Sequence, residues 1–145
     1  MKNDIRQRLA GWGPAIFLMV TIFIISSRPA PEIVQHEYIR FQDKWLHIVA
    51  YLVLSCLFLR AFIWEGMGWV AKTFLLAFLL STLYGATDEW HQYYVPERES
   101  DWVDWIADVL GAGLVVFLWI PLKWLYEWEL GWVKKRFPGI VREDS

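Results

Sequence analysis

Cysteine is nearly absent from this 145-residue chain. The one present, Cys56, excludes an intrachain disulfide framework and reads as a packed apolar residue. Four long stretches also have little charge. No HExxH or other closely spaced metal motif occurs, and no Ser or Cys sits in a recognisable nucleophile motif. Ser100 precedes Asp101 at a turn, where capping of a helix N-terminus accounts for it. No strand-to-helix phosphate loop is possible among such apolar runs, so Gly111 and Gly113 are expected to serve close helix approach. A basic surface interleaved with aromatics is missing, which argues against nucleic acid. The first apolar run has no small-residue cleavage site and ends in Ser26-Ser27-Arg28-Pro29, so it is expected to be a retained span.

What is present is apolar bulk: 57% of residues are hydrophobic and 11 are Trp. These runs are too long for a soluble domain of this size, so an all-α integral membrane protein with one domain over residues 1–145 is expected. Spans are expected at about residues 11–27, 45–64, 69–87 and 103–122, forming a compact four-helix bundle. Backbone amides in lipid have no water to bond, which requires helices. Trp12, Trp45, Trp64, Trp69, Trp102, Trp105 and Trp119 fall near the expected ends, where an amphipathic ring suits the headgroup zone. Residues 123–137 are expected to form an interfacial amphipathic helix. Its apolar face would be Leu122, Leu125, Trp128 and Trp132, and Lys134, Lys135 and Arg136 follow.

The distribution of Lys and Arg gives an orientation. Lys2, Arg6, Arg8, Arg60, Lys72, Lys123, Lys134, Lys135, Arg136 and Arg142 fall on one side; Arg28, Arg40, Lys44 and Arg98 fall on the other. The positive-inside rule then puts both termini in the cytoplasm of a multi-pass inner-membrane protein. The connections 28–44 and 88–102 would lie outside. The first of these, with Pro29 and Pro31, is expected to be an extended turn followed by a short interfacial element.

Every unusual polar residue falls at that outer end. Lys44, His47, Tyr51 and Ser55 are spaced three, four and four, so they share one helix face. Ser81, Tyr84, Gly85, Asp88 and Gln92 form a second stripe if the third helix continues past its lipid-facing part. Asp101, Asp104, Asp108 and Gly111 form a third. Three stripes entering from one side imply an outward-opening polar pocket.

With these residues assembled, the chain resembles the VanZ-like membrane protein family. The resemblance rests on Ser26-Ser27-Arg28-Pro29, on Asp43-Lys44-Trp45-Leu46-His47 with Tyr51, and on Asp88-Glu89 with Gln92. It continues through Pro96, Arg98, Ser100, Asp104 and Gly111. It implies a small bacterial multi-helix membrane protein and a link to glycopeptide (teicoplanin) resistance, but no particular reaction. Where the family often has Asn in its fourth helix, this chain has Asp108, which adds a charge or a shared proton.

At the outer end Asp43, Asp88, Glu89, Glu97, Glu99, Asp101, Asp104 and Asp108 face only Lys44 and Arg98 as fixed cations. So many carboxylates near lipid must be solvated, share protons, pair with bases or hold a cation. One expectation is recognition of a lipid-linked or cell-envelope ligand by Lys44, His47, Tyr51, Asp88, Glu89, Gln92, Arg98, Asp104 and Asp108. In that reading Lys44 and Arg98 take phosphate, and the other groups bond sugar or peptide. A second is a divalent cation held by His47, Asp88, Glu89 and Asp104, with Asp108 and His91 as further ligands. Carboxylates and water suit magnesium, calcium or manganese, and an imidazole admits zinc. Such an ion would suit an enzyme acting on a phosphorylated membrane lipid. A third makes the network structural, with Lys44 and Arg98 as counterions for Asp88 and Asp104, in a scaffold protein of the envelope. His36 is expected to be a loop residue.

Overall fold

The computed structural model describes residues 2–28, 37–96, 98 and 101–141, and the described regular structure is entirely helical. Pro29, Pro31, His36, Glu97, Glu99, Ser100 and Arg142 lie outside these residues, as do the side chains of Lys2, Arg40 and Asp43. The helices are α1 (Lys2–Ser26), α2 (Glu37–Trp64), α3 (Ala71–Gln92), α4 (Trp102–Gly113) and α5 (Trp119–Arg136). A 3-10 segment, Leu114–Leu118, joins the last two.

Among the described residues three stretches are long and apolar enough to cross a membrane: Ile5–Ser26, Lys44–Trp64 and Trp102–Arg136. α3 is the fourth long helix, and it ends in polar residues. α1, α2 and α3 all extend beyond the expected spans, because hydropathy registers only the lipid-facing part of a helix whose ends are polar. The short interfacial element expected before residue 44 is the opening of α2 itself. α3 continues to Gln92, which places its whole polar stripe on one helix.

The helices alternate in direction. Ser26 at the end of α1 meets Asp88 near the end of α3, and Lys44 early in α2 meets Asp101 and Asp104 at the start of α4. At the opposite end the Gln7 side-chain amide donates to the Trp64 carbonyl, and Trp69 stacks on Tyr126 of α5. Residues between α2 and α3 turn through Gly66 and Gly68, both at positive φ, which glycine adopts without steric cost. α2 is central and packs on α1, α3 and α4. α2 and α4 approach closely at Gly111, where an added Cβ would lie 2.2 Å from the Ile48 carbonyl oxygen. Gly113 has no such constraint, since its Cβ would make only ordinary contact with Phe78 at 3.8 Å. The expectation of close approach therefore holds at Gly111 alone.

The 3-10 segment has a local cause. Pro121 has no N–H to donate to the Phe117 carbonyl, and its ring crowds that carbonyl, so the preceding turn tightens. α5 then docks through Tyr126, whose hydroxyl donates to the Cys56 carbonyl at 2.9 Å, through Glu129 and through buried Val133. Leu125, Trp128 and Trp132, three of the four residues expected to form its apolar face, point away from the bundle, as does Trp124. Apolar residues thus lie on both the docked and the exposed sides of α5.

Arg60, counted above only as a basic residue of one side, is a buried anchor. Its guanidinium binds Glu129 at 2.9 Å and 2.6 Å and donates to the carbonyls of Ala10 and Gly11, each at 2.9 Å. It also lies 4.5 Å from the Trp64 ring centroid. Trp64 is therefore 2% exposed, and the expected place for it in an interfacial belt is corrected. Trp45, Trp102, Trp105 and Trp119 do remain exposed near helix ends.

Candidate functional site

The three polar stripes converge at one end of the bundle. All nine residues expected to bind a ligand lie there, on α2, α3, α4 and the segment after α3. The cluster is graded in depth: the side chains of Lys44 and Asp101 are partly open, those of Asp104 and His47 nearly closed, and Asp108 has no exposure.

At the outer layer the Lys44 ammonium donates to Asp101 Oδ2 at 3.2 Å and to Asp104 Oδ1. Asp101 also caps α4, its Oδ1 accepting from the Val103 amide at 2.9 Å, so the capping expected of Ser100 falls to Asp101. The Asp101 amide in turn donates to Glu89 Oε2 at 3.1 Å, which ties the α4 start to the α3 end.

A second layer rests on neutral donors. Asp88 Oδ1 accepts from Ser26 Oγ at 2.6 Å, and Oδ2 accepts from the Gln92 amide at 2.9 Å. The same amide reaches Glu89 Oε1 at 3.4 Å. Arg98 donates from Nε to the Gln92 side-chain oxygen at 2.8 Å and from its terminal nitrogen to the carbonyls of Ile25 and Arg28, each at 3.2 Å. Of the two expected counterions, Lys44 pairs directly with Asp104, while Arg98 reaches Asp88 through Gln92.

The deepest layer joins α2 to α4. His47 Nδ1 stands 2.8 Å from Asp108 Oδ1. When Asp108 is ionised it is an acceptor only, and Nδ1 then carries the shared proton. The Tyr51 ring lies parallel to His47, with 6.4 Å between ring centroids. Asp108 Oδ2, the Tyr51 hydroxyl, Ser55 Oγ and Ser81 Oγ are buried without a hydrogen-bond partner among the described residues. Gly85 makes the layer possible, because a Cβ there would stand 2.7 Å from Asp108 Oδ2 and 3.1 Å from Tyr51 Cε1.

Among the described acids and bases the cluster holds Asp88, Glu89, Asp101, Asp104 and Asp108 against Lys44 and Arg98. Glu89 lies beyond the apolar stretch of α3, and its carboxyl is pushed up to about 7. Burial is the main cause; Asp104 and Asp108 add to it, while His47 and the Asp101 amide oppose it.

Ligand atoms of His47, Glu89 and Asp104 all lie within 4.8 Å of one another. Asp88, also expected to ligate a metal, is engaged to one side by Ser26 and Gln92. His91 faces elsewhere, stacking on Phe23 at 4.5 Å. Two grooves, one lined by Phe74, Phe78 and Trp119 and the other by Trp12, Met19 and Leu83, are apolar and lie outside the polar cluster.

Sequence reading left Ser26 and Asp101 out of the site. Ser26 had a signal, as the last polar residue before the connection, but its partner is 62 positions away. Asp101 already stood on the α4 stripe, and only its reach to Lys44 adds it to the site.

Comparison with curated proteins and with solved structures found no match. The family model for VanZ/LLP1 proteins matches residues 12–125, from the first Trp of α1 into α5 and across every residue of the polar cluster. With most of its length covered by that model, the chain belongs to the VanZ/LLP1 family.

Proposed function

We propose that this protein crosses the bacterial cytoplasmic membrane four times and recognises the headgroup of a lipid-linked cell-envelope ligand at its polar end. The observation that carries this reading is the convergence of charged and hydrogen-bonding groups from four segments at one end of an otherwise apolar bundle. Polar groups at membrane depth are expensive, and packing alone does not require five acids there.

Four crossings are supported by α3 running beside α2 between the two ends of the bundle. Ten of the 14 basic residues assigned to the termini and the α2–α3 turn favour cytoplasmic termini, so the polar end faces outward. α5 suits the inner leaflet: Trp124, Leu125, Trp128 and Trp132 are exposed, and Lys134, Lys135 and Arg136 can meet anionic headgroups.

The geometry also refines the ligand. Lys44 and Arg98 are already engaged within the protein, so a bare phosphate would have to displace those bonds. The surplus of carboxylates favours a headgroup that brings hydroxyl, amide or ammonium donors, as sugar and peptide portions of envelope precursors do. The family's association with teicoplanin resistance fits a ligand of that kind.

Native mass spectrometry of protein extracted with its surrounding membrane tests this reading. A specific lipid-linked molecule should be retained by the wild type and lost from folded Arg98→Ala and Gln92→Leu variants. The same bulk lipids on all three proteins would refute it.

A further inference from the structure

We propose that His47, Glu89 and Asp104 bind a divalent transition-metal ion, manganese or zinc, with Asp108 orienting the histidine from behind. The proposal shares the polar end with the ligand reading but does not need a ligand. Metal alone is the probe, so failure to retain a lipid and failure to bind an ion are separate results.

The three groups come from α2, α3 and α4, and their ligand atoms lie within 4.8 Å of one another. Donors around an ion bound at about 2.1 Å stand about 3 to 4 Å apart, so small side-chain rotations close the set. One imidazole and two carboxylates suit manganese or zinc better than magnesium or calcium, which favour oxygen alone.

The His47–Asp108 bond is the supporting arrangement that metal-binding histidines use. A carboxylate at one ring nitrogen fixes the tautomer and raises the basicity of the other. With Nδ1 held by Asp108 Oδ1 at 2.8 Å, Nε2 is the nitrogen that ligates.

A second and independent observation points to a missing occupant. Tyr51 is 1% exposed, yet its hydroxyl has no hydrogen-bond partner among the described residues. Asp108 Oδ2, fully buried beside the same ring, also has no partner among the described residues. Both side chains pack against Gly85, where a Cβ would stand 2.7 Å from Asp108 Oδ2 and 3.1 Å from Tyr51 Cε1. An ion with bound water supplies both charge and hydrogen-bonding groups to such atoms. It also relieves the acidic surplus that Lys44 and Arg98 leave. Lys44 is the competing cation at Asp104, and metal binding shifts its ammonium toward Asp101, already 3.2 Å away.

The test uses the full chain without a histidine tag, stripped with chelator and titrated with manganese(II) alone. Electron paramagnetic resonance counts bound ions, and its electron spin-echo modulation detects a ligating imidazole nitrogen. We expect one ion per chain with nitrogen modulation, binding weakened at least tenfold in His47→Ala and in Glu89→Gln, and no change in His91→Ala. Asp108→Asn should weaken binding by about ten- to a hundredfold while keeping the nitrogen signal. The wild-type nitrogen signal keeps the test decisive should His47→Ala fail to fold. The proposal is overturned if neither manganese nor, by calorimetry, zinc binds the wild type below millimolar concentration. It is equally overturned if bound manganese shows no nitrogen modulation, or if His91→Ala removes the ion.

Discussion

His47 and Asp108, 61 positions apart, meet through a 2.8 Å contact between Nδ1 and Oδ1, while the other oxygen of the same fully buried carboxylate has no hydrogen-bond partner among the described residues. The pair fastens α2 to α4 and leaves an unsatisfied acceptor in the interior. Such an acceptor costs stability, and in an apolar surrounding the charge adds to the cost.

Replacing Asp108 therefore separates charge from hydrogen bonding. Asp108→Asn keeps an oxygen for Nδ1 and removes the charge, matching the residue the family often carries there. In metal-free protein its thermal midpoint should rise by a few degrees, whereas Asp108→Ala, which strands His47, should lower it. Thermal unfolding in detergent decides the matter: equal losses in the two variants would mean the charge itself is stabilising.

The close approach of α2 and α4 gives a steric prediction. A methyl group at Gly111 would sit 2.2 Å from the Ile48 carbonyl oxygen, and backbone cannot swing aside as a side chain can. Gly111→Ala should cost about 1–3 kcal/mol through forced helix separation. Gly113→Ala, with ordinary room, should be near neutral. Comparable unfolding midpoints for the two variants would contradict this account of the packing.

At the far end, Arg60 satisfies Glu129 and two backbone carbonyls at once. Removing it leaves a partly buried carboxylate and two acceptors without their donor, so Arg60→Ala should destabilise by about 3 kcal/mol. It should also loosen α5. Lysine cannot reproduce the planar fork, and Arg60→Lys should recover only part of the loss. Proteolysis within residues 119–136, compared across the three proteins, reads the release of α5 directly.

Much of this arrangement was legible in the sequence because helices impose a short period. Lys44, His47 and Tyr51 align by spacing alone, and so do Asp101, Asp104 and Asp108. The alternation of apolar runs then brings the stripes to one end. What periodicity does not carry is the partner across the bundle. Ser26 with Asp88, and Arg60 with Glu129, are set by helix rotation and depth, which depend on packing at Gly11, Gly85 and Gly111. Trp64 shows the same limit: its position suits a headgroup belt, but Arg60 and the adjacent α1 backbone draw it inward. For α5 the spacing marked a face, yet the face used for docking is the one with Tyr126, Glu129 and Val133.

The acidity of Glu89 makes stability depend on pH in a definite direction. Its carboxyl is raised to about 7 in the folded protein from an ordinary value of 4.5, chiefly by burial. The folded state thus prefers the protonated form. That contribution is fully present below pH 4.5 and is lost as pH rises through 7. The groups around it are His47 on α2, Asp101, Asp104 and Asp108 on α4, and Asp88 and Gln92 on α3. Lys44 lies one layer further out, on Asp101 and Asp104. In chelator, the thermal midpoint should therefore fall between pH 5 and pH 8, most steeply between 5 and 7 and levelling off above 7. Glu89→Gln, permanently neutral, should show a flatter profile and be the more stable protein at pH 8. Manganese competes with the proton for the same oxygens, so its affinity should increase over the same interval in the wild type. Identical pH profiles for wild type and Glu89→Gln in chelator would show that the buried proton resides on another group of the cluster.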